Sequence, residues 1–106
     1  KNENYLRKNW SSIILWNCGH PNNKILTPEF IGNKNGAFLH RFKWLRDDEI
    51  GEIDRKWNWL AIEYPEIQDP KLIHYTLGTP CFKEYKDTSM ANYWQNAFKK
   101  LSESLD

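Results

Sequence analysis

Few cysteines, a single methionine, no excess of charge and no long apolar run mark this 106-residue chain. A membrane-crossing helix needs about 20 apolar residues, and nothing here approaches that length. No signal-peptide pattern opens the chain, so a soluble, cytoplasmic protein is the expectation. Cys18 and Cys81 are too few for a disulfide framework, and two thiols in so short a chain fit a reducing compartment. Lysine and arginine number 15 against 14 acids, a net charge of +1. Nucleic-acid binding asks for a clustered basic face, which this balance does not supply. There is no glycine-rich phosphate loop, no nucleophile elbow, no zinc-finger spacing, no internal repeat and no low-complexity segment. His20, His40 and His74 lie too far apart, on segments of different kinds, for a compact zinc motif.

Aromatic residues are abundant: six Trp, five Tyr and five Phe. Each buries a large area in a core, and an exposed indole can also stack on the apolar face of a sugar ring. One reading is therefore a small non-catalytic binding or assembly module packed around Trp10, Trp16, Trp44, Trp57 and Trp59. The length allows one domain over residues 1–106 with a modest core. Ser12–Trp16 reads as a central strand buried on both faces. Thr27-Pro28-Glu29 starts a short helix, with Thr as cap, Pro at the first position and an acid at the positive end. Ala37–Arg46 reads as a second helix with Phe38, Leu39, Phe42 and Leu45 on one face. The alternation around Trp57–Ile62 permits a strand, and Leu72–Tyr75 is another. The strongest helix signal runs from about Ser89 to Ser104. These elements sum to an α+β fold, or a partial α/β sheet, of two to four strands with about three helices.

Lys71 to Pro80 carries the clearest site signal. A short apolar strand delivers His74 near its end and breaks into a Gly78/Pro80 loop, the place where α/β proteins gather ligands. Arg7 to Cys18 has the same grammar, with Arg7 and Lys8 before an apolar run and Asn17 after it. Asp47-Asp48-Glu49 is the sole carboxylate cluster; it could supply metal ligands or an acceptor-side base, but adjacent acids in a polar turn are more often a solvated helix end.

The two segments resemble the C-terminal half of a GT-A-type glycosyltransferase, similar to the glycogenin-like, family 8 enzymes and a bacterial and phage branch of them. Ser11 to Asn17 resembles the strand that lines the sugar site. His74, Gly78 and Pro80 resemble a His-Phe-x-Gly-x-x-Lys-Pro-Trp motif, and Trp57-Asn58 a turn between them. The likeness runs from about Tyr5 to Trp94. It implies the acceptor-side, C-terminal portion of a larger enzyme that moves a sugar from a nucleotide-diphosphate donor to a glycan acceptor. His74 would ligate Mn²⁺ or Mg²⁺ in the complete enzyme. Arg7 and Lys8 would approach the diphosphate or the acceptor. Ser11, Ser12 and Asn17 would bond sugar hydroxyls, and Trp57, Asn58 and Gly78 would complete the substrate site.

Two departures stand out: no Asp-x-Asp motif occurs, and Thr79-Pro80-Cys81-Phe82 replaces the phosphate-contacting lysine region. The expectation is thus an isolated half that binds no metal tightly and is inactive alone. Strands deprived of neighbours would expose apolar edges, so a homo-oligomer, a dimer, is expected to cover them.

Overall fold

The computed structural model describes residues 4–105. The chain groups into two compact units, Lys1–Ile53 and Asp54–Asp106.

The first unit carries two short α-helices, α1 (Pro28–Gly32) and α2 (Gly36–His40), among several 3₁₀ turns. α1 starts as its sequence dictates. The Thr27 hydroxyl accepts from the Phe30 N–H at 3.1 Å, which satisfies one of the orphan donors of the first turn. Asn35 caps α2 likewise, accepting from the Phe38 N–H at 2.8 Å.

α2 stops at His40, not at Arg46 as its apolar spacing suggests. Phe42 adopts a left-handed φ of 49°, which no continuing helix tolerates. Two interactions favour the break. The Phe42 ring is buried edge-on against Trp44, with centroids 5.6 Å apart. The carbonyls of Arg41 and Phe42, freed from helical bonding, accept from the Arg7 guanidinium at 2.5 and 2.8 Å.

The expected strand at Ser12–Trp16 does not form. Trp10–Ser12 is a 3₁₀ turn, and the extended residues that follow have no ladder partner among the described residues. Leu15 is 84% exposed. Packing between rings explains the difference. Trp16 stacks on Trp44 at 6.4 Å and 14°, so this segment joins an aromatic cluster that includes Phe38 and Phe42.

The second unit holds two strands, β1 (Trp59–Ala61) and β2 (Ile73–Tyr75), and the long helix α3 (Ala91–Ser104). The strands pair in parallel, with Trp59 opposite Ile73, Leu60 opposite His74 and Ala61 opposite Tyr75. β1 is fully buried. The Trp59 indole N–H donates to the Pro65 carbonyl at 2.9 Å, and its ring meets Tyr64 edge-on at 5.2 Å. β1 ends where Ile62 turns to a φ of 77°, and the Tyr64 N–H closes the turn on the Leu60 carbonyl at 2.9 Å.

α3 is anchored by its first turns alone. Met90 and Ala91 are buried, the Tyr75 hydroxyl donates to the Met90 carbonyl at 2.8 Å, and the Tyr93 hydroxyl reaches the Ile67 and Gln68 carbonyls. Farther along, Phe98, Leu101 and Leu105 face solvent. Three α-helices and a two-stranded parallel sheet make the described chain an α+β protein.

Candidate functional site

The sequence-derived site residues divide between the units. Arg7, Lys8, Ser11, Ser12 and Asn17 lie in the first, and Trp57, Asn58, His74 and Gly78 in the second.

Arg7 is committed to its own unit. Besides the two carbonyls of the α2 break, it donates to the Leu45 carbonyl and to Asp47, whose Oδ1 lies 2.5 Å from the terminal nitrogen. Its side chain is only 12% exposed. A planar fork with five donors suits such convergent carbonyls, so the guanidinium acts as a staple for the turn. Lys8 is half-buried and Ser12 exposed. The Ser11 hydroxyl shares a 2.8 Å hydrogen bond with His40 Nδ1. Asn17 folds a local turn: its side-chain oxygen accepts from the Gly19 N–H at 3.1 Å, and its carbonyl accepts from His20 and Asn23.

The carboxylate cluster is split by function. Asp47 pairs with Arg7 and Asp48 with Arg46. The Asp48 hydrogen bond and charge raise the Arg46 pKa above its usual value. Glu49 turns inward, its side chain 9% exposed. It accepts from the Asn22 amide and, at 2.8 Å, from the Arg46 N–H, with the His20 ring 3.9 Å away. Asn23, next in sequence, accepts from the Trp44 indole at 3.1 Å. Spacing alone could not distinguish Glu49 from its two solvated neighbours.

In the second unit, His74 occupies the middle of β2. Successive strand side chains point to opposite faces, so His74 lies on the face away from Ile73 and Tyr75. Its Nδ1 atom is shielded from solvent and has no hydrogen-bond partner. Such an atom is costly to leave unmatched, and it is the feature of this unit that most directly asks for a ligand. No group of three or more His, Cys, Asp or Glu side chains among the described residues could hold a metal ion.

Trp57 and Asn58 form the end of a 3₁₀ turn, Arg55–Asn58, leading directly into β1, with Trp57 about half exposed and Asn58 half-buried. Gly78 follows β2, with the Tyr85 ring packed close against it. A Cβ at 78 would overlap ring carbons of Tyr85, so glycine is required by close approach.

The opposite face of β2 carries a feature that the sequence reading missed. Lys71, Ile73, Tyr75, Tyr93 and Trp94 line an open recess of about 260 Å³ between β2 and α3. Burial raises the Tyr75 pKa above its ordinary value. The alternation Lys71–Ile73–Tyr75 was a legible signal for one wall. The second wall needs the return of α3, which spacing does not give.

Of the five tryptophans considered as a packed core, Trp59 alone is buried; Trp10, Trp16 and Trp57 are close to half exposed. Both cysteines are free and exposed. No helix among the described residues is long and apolar enough to cross a membrane.

A small α+β unit with a parallel strand pair and a histidine on its second strand is the class that fold and site define. No family model matches the chain, and no solved structure matches it. It is similar to Protein CDI of Arabidopsis thaliana, 48% identical over 103 residues that take in 92% of this chain and 40% of the relative. The chain thus spans about two fifths of the length of that curated relative.

Proposed function

We propose that the chain is the acceptor-side, C-terminal portion of a GT-A-type glycosyltransferase. The complete enzyme transfers a sugar from a nucleotide-diphosphate donor to an acceptor hydroxyl, with Mn²⁺ or Mg²⁺ to neutralise the leaving diphosphate. The observation that carries this reading is the unmatched Nδ1 of His74, on a parallel strand that runs into the Gly78-Thr79-Pro80 loop. An imidazole nitrogen without a hydrogen-bond partner can ligate a divalent ion once the atoms that shield it move aside. The resemblance of the Lys71–Pro80 segment to the family's metal-binding motif is consistent with that assignment, as is the match to a relative more than twice as long.

On this reading His74 holds one coordination position, and carboxylates from polypeptide outside this chain hold the others. Trp57, next to Asn58 at the entrance to β1, offers an exposed ring face to a sugar. Gly78 and the Tyr85 ring hold the loop after β2 in one shape, which orients whatever that loop contacts. Arg7 contributes to the fold of its unit and is left out of the substrate site.

Paramagnetic broadening tests the assignment without any need for turnover. Substoichiometric Mn²⁺ should broaden the His74 ring proton signals before those of His20 and His40. Broadening that reaches His20 or His40 first, with His74 unaffected, would remove the reading's main support.

A further inference from the structure

Beyond its anchored first turns, α3 presents Trp94, Phe98, Leu101 and Leu105 at successive spacings of four, three and four residues. That is the pattern of a coiled-coil seam. Phe98, Leu101 and Leu105 are 55%, 58% and 78% exposed, and Trp94 stacks on Phe98 with ring planes 7° apart. Scattered exposed leucines mean little, but a continuous stripe along one helix calls for a cover.

The stripe is matched to itself. Its centre lies between Lys99 and Lys100, and turning the helix end for end about that point sets Trp94 opposite Leu105 and Phe98 opposite Leu101. The flanking positions Gln95, Ala97, Ser102 and Ser104 are uncharged, and three of them are small. Lys99, Lys100 and Glu103 fall off the seam, so a second copy meets no like charge there. At one end of the stripe Trp94 forms a wall of the 260 Å³ recess with Ile73 and Tyr75, and at the other Leu105 projects into solvent. A self-complementary interface of the two-fold kind needs a projection and a hollow related in this way.

We propose that α3 is a homodimerisation element, pairing antiparallel with α3 of a second copy so that each Leu105 enters the recess beside the partner's Trp94. The patch is small compared with the roughly 800 Å² per partner of a standard interface. Micromolar rather than nanomolar dimerisation is therefore expected.

Sedimentation equilibrium of the chain over a range of concentrations, with Phe98→Glu and the off-seam control Lys99→Glu, tests the dimer. The proposal expects a monomer–dimer equilibrium that Phe98→Glu weakens at least 30-fold and Lys99→Glu leaves within threefold, with unchanged circular dichroism in both. Oxidation of a mixture of Trp94→Cys and Leu105→Cys chains, both made in a Cys18→Ser, Cys81→Ser background, tests the direction of pairing. An antiparallel pair gives the mixed disulfide in preference to either homodimer. A chain that stays monomeric at millimolar concentration overturns the proposal, as does dimerisation that survives Phe98→Glu. If Phe98→Glu instead lowers thermal stability without changing mass, the stripe is covered by the chain's own residues and the proposal fails.

Discussion

Arg7 illustrates how one side chain can substitute for regular structure. Its fork collects the carbonyls of Arg41, Phe42 and Leu45 where the chain turns after α2, the Phe42 carbonyl also accepting from the Leu45 N–H at 2.9 Å. Arg7→Ala should cost about 2–3 kcal/mol, since several charge-assisted bonds are lost and the carbonyls are left to find water. Arg7→Lys should recover little of that, because an ammonium cannot serve three carbonyls and Asp47 in one plane. Urea denaturation of the three proteins measures both. Gly78 makes the complementary case, in which a missing side chain matters: Gly78→Ala must displace the Tyr85 ring, and overpacking of that kind costs about 1–3 kcal/mol. Tyr75 links burial to pH. Its raised pKa means that the folded state holds the phenol proton more tightly than the unfolded state does. Stability is therefore fully present below about pH 10 and falls as the pH rises through and beyond it. Tyr75→Phe should lose about 1 kcal/mol at neutral pH with the Met90 bond, and should flatten the alkaline loss in a melting series from pH 8 to 11.

At the scale of elements, what could be read from the sequence depended on how local the cause was. The start of α1 was legible because Thr27, Pro28 and Glu29 each act within one turn of their own backbone. Thr27→Ala should accordingly cost about 1 kcal/mol in thermal or chemical denaturation. β2 and α3 were legible within a residue or two, from a short apolar run and from a helical period sustained over many turns. The end of α2 was not, because it is set by Arg7, more than thirty positions away, and by a ring contact between Phe42 and Trp44. Ser12–Trp16 misled for a similar reason. A short apolar run fits a buried strand and an aromatic cluster equally well, and Trp44 decides between them. In the candidate site, His74 and Gly78 stood out in sequence because a short apolar run breaks there into a tight loop, although His74 sits in the middle of β2 and not at its end. The recess between β2 and α3 did not, since its walls meet only in the folded unit.

The chain forms two compact units that leave several large apolar side chains exposed, Leu6, Leu15 and Leu105 among them. On the proposed reading, the unmatched nitrogen of His74 belongs to a site that other polypeptide completes. The most direct measurement is a titration of UDP against intrinsic tryptophan fluorescence, with and without Mn²⁺, in the natural chain and in His74→Ala. Trp57, exposed at the entrance to β1, is a built-in reporter in the same unit as His74. The account predicts quenching at millimolar UDP that requires Mn²⁺ and disappears in a folded His74→Ala variant. No response in the natural chain, or the same quenching after His74 is removed, would contradict it.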